Sequence, residues 1–263
     1  CIRDRSKVFK TFHKISLCGD SMIGIIGGSG IYDPKLLKNV EQVKIDTPYG
    51  SPSGLFTKGE LDGKTIYILP RHGYNHQFNP SNVPYRANIW AFKKLGCKKL
   101  ITVSAVGSLK EEIKPGELVF TDQFIDRTTH RIQTFYDKGK TYHISVAEPF
   151  CNNLRQNLIS KAKQLNYAFH EKGICIAMEG PRFSTKAESN LYRMWGAEII
   201  NMTLIPEVVL AREAEICYAN IAMVTDYDVW KEHTVNAKKV ITTMSSNIEK
   251  AKQLIMAIIP EIN

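Results

Sequence analysis

The chain has 263 residues, of which 43% are hydrophobic and 23% are charged, and its formal net charge is +9. This is the composition of an ordinary soluble globular protein with enough apolar residues for a sizeable core. No apolar run reaches about eighteen residues, so the sequence excludes a membrane span. The basic residues are scattered rather than clustered with aromatics, which argues against a nucleic-acid-binding surface.

The first 21 residues are basic and precede Met22, where a strong strand pattern begins. We interpret residues 1–21 as an N-terminal extension outside the fold, with a basic transit-like segment as the alternative. No linker, repeat or low-complexity tract follows, so we expect one domain over residues 22–263.

The six cysteines stand at positions 1, 18, 97, 151, 175 and 217, and no pair has the C-x-x-C spacing of a zinc or redox site. Several lie in apolar runs, as buried free thiols do. The pattern predicts free thiols in a reducing compartment and no metal site.

Strand patterns and helix patterns alternate along the chain. This alternation predicts an α/β fold with a mixed, mostly parallel, twisted sheet flanked by helices. Asp62-Gly63 is a turn signal between two strands, and Thr185 with Glu188 forms a capping box. The predicted strands cover 22–26, 55–59, 65–69, 99–103, 117–121, 173–178, 197–203 and 217–225, and the predicted helices cover 81–95, 150–165, 185–195, 206–214 and 238–259.

Several loops that follow strands carry groups able to bind an anion. Glycine-rich backbone exposes amide N–H groups, an Arg binds two phosphate oxygens at once, and hydroxyls donate hydrogen bonds. Ligands in open α/β sheets bind at the carboxyl ends of strands, so these loops together favour an anion pocket over separate tight turns. The candidate residues are Ser29, Arg71, His72, Ser104, Ala105 and Thr203.

Asp226 and Asp228 end a buried strand and form a second candidate group. Two neighbouring carboxylates resist ionising together, so the pKa of one should rise above the reference value of about 3.9. A protonated Asp near neutral pH can act as a general acid. A helix cap or surface turn remains the alternative interpretation of this pair.

Nine segments in one order, spread over residues 22–262, carry a family resemblance. They are 25–30, 71–73, 79–81, 107–109, 122–127, 147–150, 179–184, 201–203 and 225–228. These segments resemble the 5′-methylthioadenosine phosphorylases of the trimeric purine nucleoside phosphorylase family. The resemblance implies a purine nucleoside phosphorylase-like fold and the phosphorolysis of 5′-methylthioadenosine to adenine and 5-methylthioribose 1-phosphate.

The resemblance also implies a role for each candidate residue. The six anion-binding candidates would hold phosphate, Asp226 would protonate N7 of the purine, and Asp228 would bind its 6-amino group. The other implied substrate contacts are Phe183 and Ser184 at the base, Met202 at the ribose, Thr225 at the strand end, Val235 at the methylthio group, and His143 reaching that group from a neighbouring subunit. A cytoplasmic homotrimer without metal or organic cofactor is implied, with the nucleus as a second location.

Four alternatives stay open. Eukaryotic relatives continue past the position of Asn263 with a tail over the 5′ pocket, so a broader enzyme that also accepts adenosine is one of them. A 6-oxopurine or methylthioinosine phosphorylase is the second, although such relatives carry Asn where this chain has Asp226 and Asp228. The last two are a nicotinamide-dependent oxidoreductase, which lacks its full glycine fingerprint here, and a nucleic-acid-binding domain.

Overall fold

The computed structural model describes residues 22–28, 30–31, 37–231 and 237–262. The predicted extension over residues 1–21 and the predicted site residues Ser29 and Val235 lie outside the described residues. The boundary of the domain at residue 22 therefore stays a prediction.

Strands and helices alternate as the sequence predicts. The helices are α1 (Tyr85–Lys94), α2 (Asn152–Gln164), α3 (Lys186–Met194), α4 (Leu204–Glu213) and α5 (Ala237–Ile258), and a short 3₁₀ turn (Ile259–Glu261) follows. The strands are β1 (Ile23–Gly27), β2 (Lys38–Val43), β3 (Phe56–Leu61), β4 (Lys64–Pro70), β5 (Lys99–Ser108), β6 (Leu118–Phe120), β7 (Gln123–Arg127), β8 (Phe169–His170), β9 (Ile174–Met178), β10 (Ile199–Asn201) and β11 (Cys217–Tyr227).

The strands of the described residues form one mixed sheet with β5 at its centre. Its main path runs β2-β3-β4-β1-β5-β10-β9-β7, and β11 pairs with both β5 and β6. The pairs β1–β4, β1–β5, β11–β5, β10–β9, β7–β9 and β6–β8 are parallel, which confirms the mostly parallel sheet. Because β1, β4, β5 and β11 run in the same direction, their carboxyl ends meet at one edge.

Both faces of the central strands are buried. Neighbouring residues of β11 point to opposite sides, so Val224 packs into the core on one face and Met223 into the core on the other. Residues of α1 and α4 belong to the first of these cores, and residues of α2 and α5 to the second. This two-sided burial explains why β11 is a near-continuous apolar run in the sequence.

Local sequence signals account for several element boundaries. Asp62 (φ 47°) and Gly63 (φ 76°) take the left-handed conformations that a two-residue turn between β3 and β4 requires. Thr185 accepts a hydrogen bond from the backbone of Glu188, which bonds back to Thr185, and the predicted capping box is confirmed. The sequence interpretation missed β2, whose residues are mostly exposed, and also β7 and β8.

The prediction that the cysteines are free thiols is wrong for one pair. Cys151, which precedes α2, forms a disulfide with Cys217 at the start of β11. The two cysteines are 66 residues apart in the sequence, so spacing did not reveal the pair. Cys97 and Cys175 are free and buried, as predicted.

We expect this disulfide to contribute measurably to stability. Closing a loop of 66 residues in the unfolded chain corresponds to about 4 kcal/mol of unfolding free energy. Cys217→Ser should therefore lower the melting temperature by roughly 10 °C, measured by calorimetry without reductant. Dithiothreitol should lower the melting temperature of the unsubstituted protein and leave that of the variant unchanged; equal sensitivity of the two proteins would contradict the pairing.

Candidate active site

One large cavity, of about 620 Å³, opens at the edge of the sheet where the carboxyl ends of β1, β4, β5 and β11 meet. This edge is where open α/β sheets bind their ligands. Residues of β9, β10 and α5, and of the segments that follow β4, β9 and β10, form the rest of its walls. The lining residues are Gly28, Ile31, Arg71, His72, His76, Pro80, Val103, Ser104, Ala105, Val106, Gly107, Met178, Phe183, Ser184, Ile200, Asn201, Met202, Thr203, Met223, Thr225, Asp226, Asp228, Met244, Ser245 and Ile248.

Most of the residues predicted from the sequence lie in this cavity. Ser29 and Val235 are outside the described residues, and His143 is exposed and is not among the lining residues. The predicted residues that do line the cavity are Arg71, His72, Ser104, Ala105, Phe183, Ser184, Met202, Thr203, Thr225, Asp226 and Asp228.

Arg71 follows β4 and is 2% exposed. Its Nε and Nη2 donate to the two carboxylate oxygens of Glu207 at 2.8 and 2.9 Å, and its Nη1 donates to the carbonyl of Val103 at 2.8 Å. The sequence interpretation assigned the Arg71 guanidinium to phosphate, but its Nε and Nη2 edge is thus bound to a carboxylate. One N–H on each terminal nitrogen is left for an anion in the cavity.

His72 is held as a neutral ring. Burial, followed by the positive charge of Arg71, lowers the pKa of His72 to about 4. Its Nδ1 lies 2.8 Å from the carbonyl oxygen of Phe78, and a carbonyl only accepts, so Nδ1 carries the proton. The ring stacks on His76, with centroids 4.5 Å apart. Sequence analysis missed His76, a lining residue four positions after His72.

The start of α4 is capped by a side chain from β10. Asn201 Oδ1 accepts from the backbone N–H groups of Thr203 and Leu204, both at 3.2 Å. These two N–H groups at the start of the helix already have an acceptor in Asn201 and are not available to an anion. Thr203, which lines the cavity and is 7% exposed, therefore offers an anion its hydroxyl.

A second buried Arg holds the chain around Met202. The Nη1 of Arg131 donates to the carbonyls of Met202 at 2.6 Å and Ile205 at 2.5 Å, and its Nε donates to Glu179 Oε1 at 3.2 Å. Burial alone would raise the pKa of Glu179, but hydrogen bonds from Thr129 N–H and other donors, with the charge of Arg131, hold it at about 2. This ion pair fixes the segment that carries Met202, and sequence analysis did not single it out.

A β-bulge brings the two Asp side chains into the cavity. In the pairing with β5, Val224 lies opposite Val106 and Asp226 opposite Gly107, so Thr225 is an extra residue. Alternate strand residues point to opposite faces. The inserted residue changes this phase, so that Thr225, Asp226 and Asp228 all line the cavity.

The two carboxylates have different surroundings. Burial raises the pKa of Asp226 above its usual range; a hydrogen bond from Thr225 Oγ1 at 2.6 Å opposes this, and the charge of Asp228 adds to it. Asp228 is 7% exposed, and the hydroxyl of Ser184 lies 2.8 and 2.7 Å from its two oxygens. The structure therefore places a carboxyl that holds its proton more tightly than usual in the same cavity as one that accepts a hydrogen bond.

Residues 22–260 match the sequence profile of the phosphorylase superfamily. The chain belongs to the phosphorylase superfamily. This membership confirms the enzyme class predicted from the sequence and excludes a nicotinamide-dependent oxidoreductase.

Within the superfamily, the chain is similar to proteins named methylthioadenosine phosphorylases. The S-methyl-5′-thioadenosine phosphorylase of Hyperthermus butylicus is 55% identical over 241 residues, which cover 91% of this chain and 88% of the relative. A solved methylthioadenosine phosphorylase from an antarctic soil metagenomic library is 46% identical, with a TM-score of 0.88 and coverage of 92% and 86%. A mutant adenosine/methylthioadenosine phosphorylase from Schistosoma mansoni, solved with methylthioadenosine, is 38% identical, with a TM-score of 0.87 and coverage of 93% of each chain.

Two further structural findings concern metals and membranes. Among the described residues, no group of three or more His, Cys, Asp or Glu side chains is placed to hold a metal ion. Within the same ranges, every helix is too short or too polar to cross a lipid bilayer.

Proposed function

We propose that this phosphorylase cleaves S-methyl-5′-thioadenosine with inorganic phosphate, giving adenine and 5-methylthioribose 1-phosphate. One observation carries the proposal: a single cavity contains both the Arg71–His72 corner and the Asp226–Asp228 pair. The names of the relatives support the choice of substrate.

Each end of the cavity meets a charge that develops in the reaction. When the bond between C1′ of the sugar and N9 of the purine breaks, its electron pair leaves with the base and the sugar becomes cationic. A phosphate held by Arg71, Ser104 and Thr203 stabilises the cation and forms the new bond from oxygen to C1′. Asp226 transfers its proton to N7, so the base departs neutral.

Asp228 selects the base in this proposal. Ionised Asp228 accepts a hydrogen bond from a 6-amino group and repels a 6-carbonyl oxygen. The Ser184 hydroxyl holds the Asp228 carboxylate in place, and Phe183 lines the same cavity, where it is available to contact the base. The enzyme should therefore prefer 6-aminopurine nucleosides to 6-oxopurine nucleosides.

The proposal extends to assembly, location and cofactors. We propose a homotrimer, in which His143 of one subunit approaches the methylthio group bound by its neighbour. Two observations support the homotrimer: His143 is exposed, and Phe183 is 78% exposed although it lines the cavity.

A cytoplasmic location, with the nucleus as an alternative, rests on the family alone. The Cys151–Cys217 disulfide removes the argument that free thiols indicate a reducing compartment. Phosphate is a co-substrate, and the proposed chemistry requires no metal or organic cofactor.

Product analysis tests the reaction. The full-length protein is incubated with methylthioadenosine, adenosine or inosine, each with and without phosphate, and free base and sugar phosphate are quantified. We expect adenine and a methylthioribose phosphate in equal amounts, only with phosphate, and little hypoxanthine from inosine. Turnover of adenosine at the same rate would favour the broader enzyme, and release of base without phosphate would contradict phosphorolysis.

A further inference from the structure

A buried carboxylate lies directly behind the cavity corner that we assign to phosphate. Glu207 of α4 is 1% exposed and binds Arg71 through both carboxylate oxygens. A carboxylate at this place weakens the attraction of the corner for an anion. Glu207 therefore does not strengthen phosphate binding through its charge, and its role must be a different one.

Glu207 is the end of a chain of buried hydrogen bonds. The hydroxyl of Tyr218 donates to Glu207 Oε1 at 2.8 Å, and the hydroxyl of Thr102 donates to Tyr218 Oη at 2.8 Å. Asn220 Nδ2 donates to Thr102 Oγ1 at 3.0 Å and to Ser104 Oγ at 3.2 Å. The chain thus runs from Glu207 to Ser104, and Arg71 and Ser104 both line the cavity.

The carboxylate sets the direction of every bond in this chain. Glu207 only accepts, so the Tyr218 proton points to it, and Tyr218 Oη must then accept from Thr102. Thr102 Oγ1, having donated its proton, accepts from the amide of Asn220. Asn220 Oδ1 is occupied by Thr121 at 3.0 Å, whereas Ser104 Oγ lies 3.5 Å from it, at the limit of a hydrogen bond. Ser104 therefore accepts from Asn220 and keeps its own proton for a ligand.

We propose that Glu207 is a positioning residue for phosphate, which fixes the Arg71 guanidinium directly and orients the Ser104 hydroxyl through Tyr218, Thr102 and Asn220. This inference rests on the proposed function, because it takes phosphate as the ligand. Donors held in place before the anion arrives need no reorganisation when it binds or reacts.

The test compares Glu207→Gln with a matched change on the same helix. A Gln has one acceptor oxygen, so Arg71 loses one of its two charged hydrogen bonds to position 207. Loss of such a bond should raise the KM for phosphate about tenfold or more, while the KM for methylthioadenosine changes less than about twofold. Glu213 is also buried on α4 and accepts from Thr134 Oγ1 and Phe135 N–H, outside the cavity. Glu213→Gln is thus the control for loss of a buried carboxylate, and it should leave both KM values unchanged.

Tyr218→Phe is the second variant, and it nearly conserves side-chain volume. It removes the link between Glu207 and Thr102 without touching Arg71. We expect a smaller rise in the KM for phosphate, about threefold to tenfold, because the Ser104 hydroxyl is no longer oriented by the hydrogen-bond chain. This variant keeps the inference testable if Glu207→Gln fails to fold.

A binding measurement separates this inference from the proposed function. Phosphate should raise the melting temperature of the unsubstituted protein in the absence of nucleoside, and adenine should do so independently. In Glu207→Gln the shift at a given phosphate concentration should be clearly smaller than in the unsubstituted protein, and the shift with adenine should be unchanged. If the unsubstituted protein shows no phosphate shift and no phosphate-dependent turnover, the proposed function fails. If it shows both, and Glu207→Gln binds phosphate equally or more tightly, Glu207 does not position the site and the inference is overturned.

Discussion

Asp226→Asn should lower kcat for methylthioadenosine by about 10²- to 10⁴-fold, which is the contribution of a positioned general acid. The substituted amide can donate a hydrogen bond to N7 but cannot deliver a proton, so the base would have to leave as an anion. The KM for phosphate should change little, because Asp226 takes no part in the Arg71 corner. Steady-state kinetics with each substrate varied in turn measures both quantities.

The pH profile gives this prediction a second readout. Asp226 acts in its protonated form, and its pKa is raised, chiefly by burial. Activity of the unsubstituted enzyme should therefore fall as pH rises through the raised pKa of Asp226. The ionisation of phosphate also shapes the profile, but it is common to both proteins. The Asp226→Asn variant should keep the part of the pH profile that follows the ionisation of phosphate. It should lose the fall in activity that follows the ionisation of Asp226.

A matched change outside the cavity lining controls for loss of a carboxylate. Asp46 is exposed and pairs only loosely with Lys44, at 3.9 Å. Asp46→Asn should leave kcat and both KM values unchanged. Equal kcat values for Asp226→Asn and Asp46→Asn would show that Asp226 does not protonate the base.

Asp228→Asn should relax the choice of base. A site built around a hydrogen bond rejects an analogue that lacks the partner group by about 10⁴- to 10⁵-fold. The Asn amide can donate to a 6-carbonyl oxygen, and the charge that repels this oxygen is gone. We expect the ratio of kcat/KM for methylthioadenosine over methylthioinosine to fall by at least about 100-fold.

This prediction concerns a ratio, so a general loss of activity does not imitate it. The KM for phosphate should stay within about twofold of its original value, because Asp228 belongs to the residues proposed to bind the base and not to those proposed to bind phosphate. An unchanged base ratio in Asp228→Asn would remove Asp228 from base recognition and leave the proposed phosphorolysis standing.

The sequence predicted the parts of the site that depend on strand ends. Polar residues directly after buried apolar runs located Arg71, Thr203 and the Asp pair. The parallel strands β4, β1, β5 and β11 bring Arg71 and the Asp pair to one edge, whereas Thr203 follows β10, which pairs with β5 in the antiparallel direction. The phase change that lets Asp226 and Asp228 share the cavity with Thr225 depends on a bulge, which becomes visible only when β11 is paired with β5.

The residues behind the site were harder to predict. Glu207 stands in the run Leu204–Leu210, in which it is the only charged residue, and a carboxylate in such a run was a signal of a buried partner. Its partner Arg71 is 136 positions away, and Cys151 and Cys217 are 66 apart. Pairings of this kind follow from the tertiary fold, and no local pattern encodes them.

The central claim is that one cavity holds an aminopurine at the Asp pair and phosphate at the Arg71–His72 corner. A crystal structure of the full-length protein with methylthioadenosine and a non-reacting oxyanion such as sulfate tests it directly. We predict Asp226 within hydrogen-bond distance of N7, Asp228 within that distance of the 6-amino nitrogen, and the oxyanion beside Arg71 and Ser104 on the other side of the sugar. A purine bound away from both carboxylates, or an oxyanion bound away from Arg71, would contradict the account.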